Sequence, residues 1–256
     1  MLTGQSGDSF LSICYISNIM LFPLRYLPSG HILIDPEDDC DGVVDAMLET
    51  GYSEEFCLAR DFDEGFIGRL MTSGFLVMSA WLKNDGWGNR RKPFFILLPK
   101  LHLLRSVLFF PGLHIKKNIC PFLSKYELRV NTDFDFILDK CVQIHGSDWL
   151  TPPLVEILKS MRHKQLPSAP FSFAVYRDGE LKAGEIGIVT GHVYTSYSGY
   201  YEEDNAGTVQ MILMAQWLEK NGYAFLDFGM PLDYKTSLGA QDISPRRFVE
   251  LFRLAR

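Results

Sequence analysis

The 256-residue chain predicts an α+β fold: a mostly antiparallel mixed sheet with flanking helices, plus a small N-terminal domain. Three observations carry that prediction. Two strand-like runs, 171–176 and 181–189, flank Arg177-Asp178-Gly179-Glu180, and Asp-Gly is a strong hairpin dipeptide. A third run, from Gly191 to about Tyr200, leads into a long helix that Asp204 or Asn205 can cap and Asn221-Gly222 can end. A short apolar run at 223–228 then reads as a central strand. Strand, strand, strand, helix, strand is the order of an acyltransferase-type domain, although order alone assigns no function.

The earlier elements follow from local signals. Residues 10–24 are apolar, but no Lys or Arg precedes them and Ser12, Ser17 and Asn18 interrupt them. That pattern reads as a buried first element, not a secretion signal. Asp41 can cap a helix carrying Val44, Met47 and Leu48 that Gly51 stops; Asp63 can cap another carrying Phe66, Ile67, Leu70 and Met71 before Gly74. The polar, Gly-rich and basic stretch 83–93 suits a boundary, dividing the chain into a small α/β domain (1–90) and a larger one (91–256). Beyond it, 94–98, 103–110 and 126–130 read as strands, with Pro111-Gly112 as a turn. A helix starting at Thr132 or Asp133 puts Phe134, Ile137, Leu138 and Cys141 on one face, and Pro152-Pro153 opens the next, to about Met161. The helix after Asn205 is apolar over more than one face and should be largely buried.

Composition narrows the function. At 47% hydrophobic and 22% charged, the chain is neither disordered nor fibrous. A net charge of −6 argues against a generally basic nucleic-acid coat but leaves room for a local patch. No apolar window is long enough to predict a membrane span. The five Cys, at 14, 40, 57, 120 and 141, include no CxxC pair, which predicts free thiols in a reducing, cytoplasmic setting. The six His show no HExxH spacing, and neither a Gly-x-Ser-x-Gly elbow nor a P-loop is present, so metal and classical hydrolase chemistry are disfavoured.

Specific residues then point further. Gly184 to Gly191 precede Ser196-Tyr197-Ser198 and Asn205-Ala206. After the long helix come Leu226-Asp227-Phe228-Gly229, Ser237-Leu238-Gly239-Ala240, Ile243 and Phe248. Upstream stand Arg69, Gly74 and Trp81, then Arg105, Leu113-His114-Ile115-Lys116-Lys117 and Trp149-Leu150-Thr151. In this order and spacing the set resembles the leucyl/phenylalanyl-tRNA–protein transferase family over roughly residues 60–252. The resemblance implies a GNAT-like fold and transfer of an aminoacyl group, Leu or Phe in kind, from tRNA to the N-terminal amine of a protein, marking it for degradation by the N-degron route. It implies no metal and no organic cofactor. It also implies an apolar side-chain pocket lined by Met211, Met214, Leu218 and Leu226, residues that periodicity alone would equally place in the core.

The departures from that pattern fall on the chemistry. The family's Asp-Cys-Gln falls on Asp227-Phe228-Gly229, so the glutamine that positions the attacking amine is Gly229. Its Gly-Glu-Ser-Met falls on Ser196-Tyr197-Ser198-Gly199, which puts Tyr197 in place of the glutamate. A pocket methionine is Glu185, and the arginine after Ser-Leu-Gly-Ala falls on Pro245, with Arg246 next. Asp227 remains to accept from an α-amine, or serves as a structural carboxylate. Tyr197 can donate to an oxyanion. Glu185 penalises a Leu or Phe side chain unless it faces solvent or meets a basic group.

A tRNA partner needs phosphate-neutralising cations, for which Arg91, Lys116, Lys117 and Arg246 are the candidates, expected on one face. Trp81 and Trp87 are expected to be packing residues. Two other readings remain. One is a catalytically impaired relative that binds tRNA or peptide. The other is a CoA-dependent N-acyltransferase, which the acidic Glu202-Glu203-Asp204 disfavours because pyrophosphate would be repelled there.

Overall fold

The computed structural model describes residues 22–82 and 94–256, together with three two-residue backbone strands before them. The elements run β1 (Leu11–Ser12), β2 (Tyr15–Ile16), β3 (Ile19–Met20), β4 (Leu24–Tyr26), β5 (Ile32–Leu33), α1 (Cys40–Thr50), α2 (Glu64–Thr72), β6 (Leu76–Leu82), β7 (Phe94–Lys100) and β8 (Arg105–Leu108). A 3-10 turn at Phe110–Gly112 follows, then α3 (Cys120–Leu123), β9 (Glu127–Val130), α4 (Phe134–His145), α5 (Pro152–Met161), β10 (Ser168–Arg177), β11 (Glu180–Thr190) and β12 (Val193–Tyr201). The chain closes with α6 (Ala206–Lys220), β13 (Phe225–Gly229), α7 (Asp233–Ser237), β14 (Gln241–Ile243) and α8 (Pro245–Ala255). The expected boundary at 83–93, with Arg91 and Trp87, lies outside the described residues, as do Cys14 and the side chains of residues 10–21 in the first apolar run.

A seven-stranded mixed sheet, ordered β14-β8-β13-β12-β11-β10-β9, dominates. Every pairing in it is antiparallel except β12 with β13. That parallel pair needs a crossover, and α6 supplies it. This is the strand-strand-strand-helix-strand order expected from the sequence.

Because side chains alternate across a strand, the sheet has two apolar faces. Val209, Ile212, Met214 and Leu218 of α6 cover one, against Phe173, Tyr194 and Leu226. Residues of α4, α5 and α8, among them Phe134, Leu158, Phe248 and Phe252, cover the other against Ala174, Ile186, Val193 and Phe225. That second core continues into the N-terminal segment through Val44, Ile67 and Leu70.

Local signals explain most boundaries. Asp178 (φ 54°) and Gly179 (φ 82°) make the left-handed pair that the β10–β11 hairpin turn requires. The Asp63 carboxylate caps α2 by accepting from Phe66 N–H at 2.8 Å. The first helix is capped two residues earlier than expected, by Asp39, and Gly51 (φ 65°) ends it. Asn205 precedes α6 without a side-chain cap; its left-handed backbone (φ 69°) turns the chain instead. The described Cys40, Cys57, Cys120 and Cys141 are free thiols, and no helix among the described residues is long and apolar enough to cross a membrane.

Two irregularities interrupt the centre of the sheet. Ile186 pairs with Ser198 and Gly187 with Ser196, so Tyr197 is an extra residue bulged out of β12. Asp227 pairs with Val107 and Gly229 with Ser106, so Phe228 is bulged out of β13. Bulges re-aim side chains and recur beside functional sites. Gly187 makes the first one possible, since a Cβ there would stand 2.4 Å from Thr195 O and from the Tyr194 ring. We expect Gly187→Ala to destabilise the fold by about 1–3 kcal/mol or more through overpacking, read as a lower urea midpoint; an unchanged midpoint would contradict this account of the bulge.

Candidate active site

The parallel pairing of β12 and β13 ends at Thr195 and Asp227. Beyond that point the strands part, and Ser196, Tyr197, Ser198, Phe228 and Gly229 line a cleft of about 800 Å³. The hairpin of β6 and β7 supplies a wall with Leu76, Met78 and Lys100, Trp149 adds an aromatic surface, and the first turns of α6 and the segment after β13 complete it.

At the parting point sits a buried ion pair. Arg105, 1% exposed, donates through Nε to Asp227 Oδ1 at 2.7 Å and through a terminal nitrogen to Oδ2 at 2.6 Å. Thr195 Oγ1 donates to Oδ2 and Gly229 N–H to Oδ1, both at 2.9 Å. Asp227 is wholly buried and does not line the cleft. Its lone pairs serve Arg105, Thr195 and the backbone, so the structural alternative describes its position and no acceptor capacity faces an incoming amine. The Arg105 guanidinium also stacks on Phe248, 4.2 Å from the ring centre.

Tyr197 and Gly229 do reach the cleft. The bulge turns Tyr197 so that its hydroxyl accepts from Val77 N–H at 2.8 Å. Burial holds the phenol well above its ordinary value, so its own proton stays available for donation. Gly229 adopts φ 72°, and a Cβ there would stand 3.5 Å from Leu76 and 3.6 Å from His102.

Glu185 is not a solvent-facing strand residue. It is 4% exposed, on the α6 side of β11, and lines the cleft. Burial pushes its carboxyl up to about 7, and neighbouring Ser196, Gln210, Lys235 and Tyr194 only soften that shift. Its Oε1 has no hydrogen-bond partner. The Gln210 amide donates to Met214 sulfur at 3.5 Å and also lies close enough to act on the carboxyl.

The sequence reading missed Lys235 and His102. Lys235, 5% exposed, comes back to the cleft from α7 and donates through Nζ to Phe228 O at 2.6 Å and Met230 O at 2.8 Å. Burial pushes its ammonium down to about 8 against the opposing fields of Glu185 and Asp227. His102 is buried, held far below its ordinary value first by burial and then by Arg105, Lys100 and Lys235, and is therefore neutral. Neither stands in a recognisable spacing; the nearest signal for Lys235 was its place just before Ser237-Leu238-Gly239-Ala240.

Of the four expected pocket residues only Met211 lines the cleft. Met214, Leu218 and Leu226 are completely buried in the core under α6. Geometry gives the reason: the cleft abuts the N-terminal end of α6, and Leu218 lies about 10 Å further along the axis at 1.5 Å per residue. The tetrapeptide Ser237-Leu238-Gly239-Ala240 has a structural role. Leu238 O accepts from His114 N–H at 2.9 Å, and a Cβ on Gly239 (φ 97°) would collide with Gly112 O at 1.9 Å.

Among the expected cations, Lys116 and Lys117 are exposed, near Leu113 and Ile115, which pack on the α6 side. Arg246 stands on α8, on the other side, and pairs with Glu49 at 2.9 Å. The structure therefore does not gather Arg246 with Lys116 and Lys117; burying the apolar face of α8 against the N-terminal segment takes Arg246 there. Trp81 is 49% exposed and packs edge-on against Phe95.

Comparison with known proteins agrees with this framework. A family model described as leucyl/phenylalanyl-tRNA protein transferase matches residues 107–253, which include β9 to β14 and all the β12 and β13 residues of the cleft. The chain belongs to that family. Among its relatives, the leucyl/phenylalanyl-tRNA–protein transferase of Pseudomonas putida (strain W619) is 27% identical over 151 residues, covering 57% of this chain and 66% of that protein. The transferase of Flavobacterium johnsoniae is 28% identical over 173 residues, covering 65% and 79%. The chain thus spans just under two thirds of the length of the Pseudomonas relative. A solved structure described as L-PGS from Bacillus licheniformis is similar at 12% identity and a TM-score of 0.42, covering 92% of this chain and 90% of that one.

Two tests follow. Asp227→Ala leaves Arg105 buried without its partner and should cost about 3–5 kcal/mol of folding stability in urea titrations; a loss under about 1 kcal/mol, the scale of a surface pair, would contradict the role given to it. The Glu185 carboxyl binds its proton more tightly in the folded chain than in the unfolded one, so its contribution to stability falls as pH rises from 4.5 to about 7. Glu185→Gln should therefore gain in melting temperature on the wild type across that window, and parallel pH profiles would contradict the burial of an unpaired carboxyl.

Proposed function

We propose that the protein transfers an aminoacyl group from tRNA to the N-terminal amine of an acceptor protein, in the cytoplasm, marking the acceptor for N-degron degradation. Family membership gives the reaction class. The observation that carries the reading for this chain is the cleft at the β12–β13 parting point, lined by a half-buried phenol, a buried ammonium and a buried carboxyl.

The chemistry asks little of the protein. An aminoacyl ester is already activated, so orienting a neutral amine against its carbonyl supplies much of the acceleration. Tyr197, its oxygen fixed by Val77 N–H, donates its proton toward the developing oxyanion. Lys235, whose ammonium burial weakens to about 8, acts as the neutral amine: its two N–H groups keep the bonds to the backbone carbonyls while its lone pair takes a proton from the attacking nitrogen and returns it to the leaving hydroxyl. Asp227 and Arg105 hold the strands that carry these groups. Lys116 and Lys117, exposed and with no ion pair among the described residues, are left to meet tRNA phosphates. Asp204 lines the cleft beside the N-terminus of α6, where a CoA pyrophosphate would need positive charge, and this weighs against the CoA-dependent reading.

The test is transfer from a pool of tRNA charged with labelled amino acids to peptides that differ in their first residue. We expect incorporation, with Tyr197→Phe and Lys235→Met each lowering single-turnover rates by about 10²-fold or more. Binding of charged tRNA without incorporation by the wild type would instead establish the catalytically impaired relative.

A further inference from the structure

Resting on that reading, the geometry points to a basic side chain, lysyl or arginyl, as the part of the transferred aminoacyl group that the cleft receives, with Glu185 as its counter-charge. Glu185 is more than nine-tenths buried, lines the cleft, and leaves Oε1 without a partner. The hydroxyl of Tyr194, which acts on the Glu185 carboxyl, is also unpaired. A buried acceptor without a donor is costly unless a ligand supplies one. A leucyl or phenylalanyl side chain seated there would seal the carboxyl away from water and offer Oε1 no donor. A guanidinium or ammonium would pair with it.

The other charged groups around the cleft leave this role open. Lys235 is the cation whose field acts on Glu185, yet its Nζ donates to Phe228 O and Met230 O and makes no direct ion pair with that carboxyl. Lys100 is drawn to Glu55 at 2.7 Å. Buried His102 is neutral, and Arg105 and Asp227 neutralise each other behind the cleft. His145 bonds Gly199 O at 2.8 Å, and Asp204 adds a second negative charge to the lining. The apolar lining suits the rest of such a side chain, because Leu76, Met78, Trp149 and Met211 can flank an aliphatic stem whose charged end reaches the carboxylate. Specificity then arises from both an attractive and a repulsive element in one residue.

The experiment is calorimetric titration of the full-length chain with adenosines carrying arginyl, lysyl, leucyl or phenylalanyl groups through a non-hydrolysable 3′-amide. It is run on the wild type, Glu185→Gln and Glu185→Met, after thermal melts establish that each variant folds. We expect the wild type to bind an arginyl or lysyl compound roughly tenfold or more tighter than the leucyl one, the scale of a charge-assisted hydrogen bond. Glu185→Gln should erase that preference, and Glu185→Met should reverse it. Tighter leucyl or phenylalanyl binding by the wild type overturns the inference while leaving the aminoacyl reading intact. An equal loss for all four compounds in Glu185→Gln also overturns it, because the carboxylate would then serve the shared α-amine. If none of the four binds the wild type, the aminoacyl reading itself fails and the inference goes with it.

Discussion

A buried guanidinium clasping a buried carboxylate sits at the mechanical centre of this protein. Arg105 belongs to β8 and Asp227 to β13, and Thr195 of β12 joins the same cluster, so one network ties three neighbouring strands at the level where the two parallel ones separate. Removing such a pair from water is expensive. Here the expense is offset by two aligned hydrogen bonds, a hydroxyl and a backbone N–H on the carboxylate, and an aromatic face against the guanidinium. The network holds Gly229 by its backbone and so fixes the strand terminus on which one wall of the cleft depends.

The cleft follows from that fixed point. Two parallel strands that stop pairing leave a gap that α6 cannot fill from its N-terminal end, and the bulges at Tyr197 and Phe228 bring these residues to its edge. The segment after β13 returns Lys235 to the same space, and the β6–β7 hairpin closes the side. Burial then sets the chemistry. It keeps the phenol protonated, weakens the ammonium and raises the carboxyl, so three groups of different kinds share one largely apolar chamber with altered proton affinities.

The element order was legible because its signals are local. Asp-Gly made the hairpin, Asp63 capped α2, and prolines opened α5. The central sheet could be read from strand order, and several ordered matches revealed the family. The site was only partly legible. Tyr197, Gly229, Met211 and Glu185 reach the cleft, but no spacing announces a bulge, and a bulge decides where Tyr197 points. Met214 and Leu218 share the helical stripe of Met211, and only their depth along α6 removes them from the site. Lys235 was hidden because its partners are backbone carbonyls, which leave no trace in side-chain patterns. Arg246 looked like one of several solvated cations, and its pairing with Glu49 is a long-range contact that no local reading supplies.

The central claim is that an aminoacyl group sits in this cleft with its carbonyl directed at Tyr197. The most direct measurement is a crystal structure of the full chain bound to a non-hydrolysable aminoacyl adenosine. The account predicts electron density between β12 and β13, with the carbonyl oxygen within hydrogen-bond reach of the Tyr197 hydroxyl and the amino-acid side chain directed toward Glu185. Density for the ligand on another surface, with the cleft left to solvent, would contradict it.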